Sequence, residues 1–242
     1  SLKGIEVDYL LPSSVTGSNI AVSPVTYKKA MELQDSEFLS GSVDLQSDNM
    51  AFSFYLKVPD ASLTNATHKK YIYSLHSSSL PVLEIFYDIS GSGGEQNDLH
   101  VRRYGDNGSG GSGYSEMIFT GVGGDSEFRH FVITSNTSTL NLYVDGIVHT
   151  NKTGSLTEGG GIGGGIYNSG TIHYVGYDSS KSDWDSKWTI ANLIGWEASP
   201  GDSSDRQDFI DAIYNSGYYS PNTDVSSSSI VFHYTFGDNA SD

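Results

Sequence analysis

The sequence predicts an all-β fold: a two-sheet antiparallel β-sandwich with one short amphipathic helix near the C-terminus. Three observations predict it. Met50 to Lys57 alternates with period two, which places Met50, Phe52, Phe54 and Leu56 on one face of a half-buried strand. Short strand-like runs recur along the whole chain between turn residues. Composition agrees, because 28 Gly, 16 Tyr and abundant Ser, Asn and Thr supply turns and strand faces, while charged residues reach only 17%.

In chain order the further runs are Gly4 to Leu11, Lys70 to His76, Val82 to Asp88, Asp98 to Tyr104, Glu116 to Thr120, Phe128 to Ser135, Thr139 to Asp145, Thr171 to Tyr177, Lys187 to Glu197 and Ser229 to Phe236. Between Leu140–Val144 and Ile147–His149 sits Asp145-Gly146, a pair that tolerates positive φ and so predicts a two-residue type I′ hairpin. One segment has helical spacing. Ser204-Asp205-Arg206-Gln207 matches a capping box, Phe209, Ile210, Ile213 and Tyr214 follow on one face, and Gly217 stops it. Two glycine-rich stretches, Gly105 to Gly113 and Glu158 to Gly165, lack a strand period and read as exposed loops. Neither leads into a helix followed by Lys and Ser or Thr, so neither is a phosphate cradle. At 242 residues a sandwich commonly stays undivided, and residues 1–242 are expected to form a single domain.

Charge and cysteine content exclude several functions. A formal net charge of −16, with no basic run, repels a phosphate backbone, so nucleic acid is not an expected partner. No membrane span is present in the sequence, and no membrane insertion is expected. With zero cysteines there is neither a disulfide framework nor a thiolate metal site, and a hydrophobic core must supply the stability. The seven histidines lack the spacing of a zinc site and read as strand-face residues. Acidic loops are compatible with a hard cation such as calcium, although a merely solvated acidic surface is the commoner explanation.

No pattern of catalytic residues stands out. Glu84, Asp88, Glu116 and Glu197 are spaced singly along their strands, as solvent-facing acids usually are. No Gly-x-Ser-x-Gly elbow joins a strand to a helix. The segment from Tyr177 through Asp178, Asp183, Trp184 and Asp185 to Trp188 joins two strands and mixes aromatics with acids, as loops that stack on sugar faces and grip hydroxyls do. It places a ligand on Trp184, Trp188, Tyr177 and Asp185, with Trp184 foremost. The alternative is that Trp184 and Trp188 cap the sandwich edge hydrophobically.

Three stretches in order carry a resemblance. They are Ala30-Met31-Glu32-Leu33 through Phe38-Leu39 and on to Met50–Lys57; Phe128-Arg129-His130-Phe131-Val132-Ile133-Thr134 with Ser138-Thr139-Leu140-Asn141-Leu142-Tyr143-Val144-Asp145-Gly146; and Ile190-Ala191-Asn192-Leu193-Ile194-Gly195-Trp196 with Phe209 to Gly217. Together they resemble the laminin-G-like jelly-roll domains of the concanavalin A-like lectin and glucanase superfamily. Of the histidine pair usual in the middle stretch, His130 is present and Arg129 stands in the other place. The ending Ile230 to Asp238, closing on Phe236-Gly237-Asp238, is similar to laminin-G-like repeats in marine phage and environmental virion proteins. In such a jelly roll the terminal runs, Gly4–Leu11 and Ser229–Phe236, are expected to pair or to be sheet neighbours.

The resemblance implies a calcium site at the sandwich rim, for which Asp178, Asp183 and Asp185 are the candidates. Hydrolases of this superfamily carry paired acids two or four apart on one strand, and no strand here has them. Lyases carry Arg-x-Glu and Gln-x-His, of which Thr171-Ile172-His173-Tyr174 holds only an echo. The expected function is therefore a non-catalytic carbohydrate-binding or adhesion module of an extracellular, cell-surface or virion protein. Its expected partner is a glycan or cell-surface polysaccharide, within a larger multidomain or virion assembly. A purely structural or protein-interaction domain is the alternative, and a divergent glycan-active hydrolase or lyase the third.

Overall fold

The computed structural model describes residues 5–7, 30–33, 38–46, 49–57, 69–88, 98–106, 109, 112–122, 128–136, 139–155, 165–167, 169–176, 188–197, 206–210, 213 and 230–234. Its strands in chain order are β1 (Ile5–Val7), β2 (Ala30–Leu33), β3 (Leu39–Gln46), β4 (Met50–Lys57), β5 (Lys69–Ser77), β6 (Leu80–Asp88), β7 (Asp98–Asp106), β8 (Ser112–Phe119), β9 (Phe128–Ser135), β10 (Leu140–Val144), β11 (Ile147–Val148), β12 (Lys152–Ser155), β13 (Gly165–Ile166), β14 (Ser169–Val175), β15 (Trp188–Trp196) and β16 (Ile230–Tyr234). Helical residues 206–210 and 213 form α1.

The strands form two antiparallel sheets, and the predicted all-β sandwich with one short helix is what the chain adopts. The first sheet runs β1-β2-β15-β4-β9-β10-β11, with β16 on β15; the second runs β12-β8-β7-β6-β5-β14-β3, with β13 on β7. The chain crosses between sheets after β2, β3, β4, β8, β11 and β14, so every sheet is assembled from segments distant in sequence. β1 pairs with β2 and β16 with β15, so among the described residues the terminal runs share a sheet and do not pair with each other.

Strand β4 shows how the core is built. Met50, Phe52, Phe54 and Leu56 all lie in the interior between the sheets, where Phe54 stacks on Phe131 with ring centroids 5.5 Å apart. The predicted half-burial falls short, because Ala51, Ser53 and Tyr55 on the opposite face are buried too. The helix covers one end of that outer face. Phe209, Ile210 and Ile213 pack with Ala51, Val132, Tyr143, Ile194 and Trp196, and Phe209 meets Trp196 edge to face at 5.3 Å. Full burial of each such side chain contributes about 1.5–3 kcal/mol. The side chain of Gln207, the last residue of the capping-box pattern, donates to the Gly146 carbonyl at 3.1 Å and so ties the helix to the hairpin turn.

That turn is as predicted: Asp145 has φ 51° and Gly146 φ 80°, and Tyr143 pairs Val148. The first glycine-rich stretch is corrected. β7 continues through Gly105 and Asp106, paired with Gly113 and Ser112 of β8, so its ends extend a hairpin. Gly165 of the second stretch likewise pairs with Asp106. Backbone pairing needs no side-chain alternation, which is why periodicity missed both.

Candidate functional site

The outer face of the second sheet gathers side chains that the sequence scatters. Antiparallel register sets Glu84 of β6 opposite Arg102 of β7, and Arg102 opposite Glu116 of β8. Residues directly opposite share a face, so the three form one row over neighbouring strands. The Cα atoms of the outer two are about 10 Å apart by strand spacing. Flanking rows bring Phe86 and His100 to one side and Tyr104 and Tyr114 to the other.

Arg102 is held from several directions. Its Nε donates to Glu116 Oε1 at 2.7 Å, and its Nη1 lies 3.9 Å from Glu84 Oε2. The guanidinium carbon sits 4.7 Å from the Phe86 ring centroid and 4.5 Å from that of Tyr114, so two aromatic faces clamp it. Tyr104 donates its hydroxyl to Glu84 Oε2 at 2.7 Å, and His100 Nδ1 lies 2.9 Å from Glu116 Oε1. Because a carboxylate can only accept, the Nδ1 proton belongs to the histidine, whose ring also stacks on Phe86 at 5.0 Å. Glu84 is fully buried; toward β8 the row opens, and Tyr114 is 43% exposed.

Burial by itself would raise the Glu116 pKa, but the hydrogen bond from His100 and the charge and hydrogen bond of Arg102 outweigh it, and the carboxyl is held below its ordinary value. Conversely, burial would lower the Arg102 pKa, and Glu116, Tyr104 and Glu84 raise it. Glu116 and Arg102 therefore stay ionised at neutral pH: Glu116 is an acceptor of hydrogen bonds and a poor proton donor.

The expectation that Glu84 and Glu116 are isolated solvent-facing acids is overturned. Each is single along its own strand; cross-strand register couples them through Arg102. The available signal was the near-equal runs Val82–Asp88 and Asp98–Tyr104, which pair center to center once taken as a hairpin. Tyr177, Asp178, Asp183, Trp184 and Asp185 lie outside the described residues. Trp188 opens β15, where its backbone pairs Leu33, and its side chain is outside them as well. The calcium candidates thus have no described geometry, and among the described residues no group of three or more His, Asp or Glu side chains could hold a metal ion.

Two histidines read as strand-face residues are instead fully enclosed. His130, on the outer face of the first sheet, contacts Ser53 Oγ at 2.8 Å through Nε2 and packs on Tyr55 at 4.6 Å; burial pushes its pKa down to about 3. His173 lies against Tyr73, Phe232 and Tyr234, and burial lowers its pKa to about 4. No helix among the described residues is long and apolar enough to cross a membrane.

No family model matches the sequence, and no curated protein matches it. Among solved structures the chain is similar to the enzymatically active domain of bacteriophage CBA120 tailspike protein 2, with a TM-score of 0.54 at 13% identity over 98% of this chain and 32% of that one. It is also similar to the botulinum neurotoxin serotype G binding domain, with a TM-score of 0.50 at 13% identity over 83% of this chain and 45% of that one. Mouse laminin α1 chain domains LG4-5 are a slighter likeness, at TM-score 0.44 and 11% identity over 71% and 42%. The chain spans less than half the length of each. At such identity the likeness shows the fold alone, a two-sheet β-sandwich.

Proposed function

We propose that the chain is a non-catalytic glycan-binding or adhesion module of a secreted or virion-surface protein, and that its ligand meets the outer face of the second sheet at Tyr114. The observation that carries this reading is an exposed aromatic ring resting on a guanidinium that Phe86, Glu116 and Glu84 hold in place. An aromatic platform beside a few fixed polar groups is how sugar rings are gripped. A catalytic reading is disfavoured by the same row, because Arg102 stands between the two carboxylates and keeps Glu116 ionised. A glycosidase needs one of its pair protonated.

The segment from Tyr177 to Trp188, with calcium on Asp178, Asp183 and Asp185 and a sugar ring on Trp184, belongs to the same proposal as a second contact. A protein-interaction role is the second reading, favored by Ile147 and Val148, which stand exposed on β11 at the edge of the first sheet. A glycan array probed with the wild type, Tyr114→Ala and Trp184→Ala, each with calcium and with chelator, tests these readings. Binding lost in Tyr114→Ala supports the sheet site, loss in Trp184→Ala together with chelator sensitivity supports the calcium-dependent loop, and silence across the array rejects glycan binding.

A further inference from the structure

We infer that the Tyr114 site takes a neutral sugar through two adjacent hydroxyls, and that it excludes sugars bearing a carboxylate. The inference rests on the glycan-binding reading and names its ligand class.

The argument starts from which polar atoms the protein has already used. Glu116 engages both His100 Nδ1 and Arg102 Nε with the same oxygen, Oε1. Its Oε2 makes no hydrogen bond among the described residues, and the side chain keeps 20% of its surface exposed. Arg102 spends Nε on Glu116; its Nη1 approaches Glu84 Oε2 only to 3.9 Å, beyond hydrogen-bond reach. The guanidinium edge bearing the Nη donors therefore has hydrogen-bonding capacity left among the described residues, and the side chain is 11% exposed. A strong acceptor and a set of strong donors thus sit side by side, next to Tyr114, a residue that is 43% exposed.

A vicinal diol matches that pair. One hydroxyl donates to Glu116 Oε2, its neighbor accepts from an Arg102 Nη group, and the apolar face of the sugar lies on Tyr114. Both protein groups are locked before the ligand arrives: Arg102 between Phe86 and Tyr114, Glu116 by two hydrogen bonds. Little conformational freedom remains to be lost on binding.

Charge sets the exclusion. Glu116 presents a carboxylate to the ligand, paired with the Arg102 guanidinium at 2.7 Å, and the whole chain carries −16. A sialic acid or uronate would bring its carboxylate against Glu116, and the guanidinium that might have received it is already neutralised.

The decisive variant is Glu116→Gln. The amide oxygen of the glutamine would stay on the His100 and Arg102 donors, which places its NH2 where the acceptor was and turns that half of the clamp into a donor. The fold should survive, and circular dichroism with a thermal melt checks it. Calorimetric titration with neutral oligosaccharides (lactose, mannotriose, cellotriose) and with acidic ones (3′-sialyllactose, trigalacturonate) reads the result. Wild type is expected to bind at least one neutral glycan and neither acidic one, and Glu116→Gln to lose neutral binding by about tenfold or more, the cost of one hydrogen bond to a charged group. Binding of an acidic glycan by wild type, or neutral binding unchanged in Glu116→Gln, overturns the inference and leaves glycan binding standing. Failure of the wild type with every neutral and acidic glycan on the array removes the glycan-binding reading and this inference with it.

Discussion

His173 Nε2 lies 2.8 Å from the Tyr234 hydroxyl, a contact that joins the second sheet to the last strand of the first along one side of the sandwich. Tyr73 approaches the other ring nitrogen at 3.4 Å, and Phe232 closes the pocket edge to face at 4.8 Å. Gly41, paired opposite His173 on β3, leaves room for it: a Cβ there would stand 2.8 Å from Nε2 and 3.3 Å from the tyrosine oxygen. The sheets approach closely at this point because one position has no side chain.

Gly41→Ala is accordingly expected to destabilise the chain by about 1–3 kcal/mol, the usual cost of overpacking a filled interior. Urea denaturation at pH 7 measures it. A midpoint equal to that of the wild type would mean that the His173 ring has space to move away.

The buried histidines give the stability a pH dependence of definite sign. His130 and His173 have folded pKa values of about 3 and about 4, below the ordinary 6.5, because burial penalises the charged ring. Between those values and 6.5 the unfolded chain binds more protons than the folded one, so stability is full above about pH 6.5 and falls as pH drops toward 4. By pH 5 each histidine should have cost about 2 kcal/mol. Glu116, whose pKa is lowered, contributes stability that is present above its ordinary value and lost only in more acidic solution. Urea melts at pH 7 and pH 5 on wild type and His130→Asn check this. The variant should lose less than the wild type between the two, and an equal loss in both would refute the assignment.

Glu84 lies 3.9 Å from the Arg102 guanidinium and has no solvent access. Arg102→Met is expected to cost about 3–5 kcal/mol, as removal of one member of a buried pair does. The double variant Arg102→Met with Glu84→Met should recover much of that loss, since the stranded charge goes with its partner. If the double variant is as unstable as the two single changes summed, the charges are uncoupled and the row is not one unit.

The sequence by itself determined the local elements and the faces they bury. Alternation in Met50–Lys57 and the strand-like run Phe128–Ser135 yield β4 and β9 with those bounds, Asp145-Gly146 yields the turn, and the stripe of Phe209, Ile210 and Ile213 yields the docked helix. These signals are readable because each depends on residues a few positions apart, through side-chain period or backbone φ. What covers the outer face of β4 is not local, so Ala51, Ser53 and Tyr55 could not be assigned burial from their own strand. The glycine-rich ends of β7 and β8 carry no side-chain period, and only their partners reveal them as strand. The same holds for chemistry. Glu84, Arg102 and Glu116 lie 18 and 14 residues apart in sequence and become one charged row solely because three strands align in register. His173 and Tyr234, 61 residues apart, meet only because the sheets close on each other. Register and sheet closure are collective outcomes of packing the whole core, and tertiary structure alone decided them.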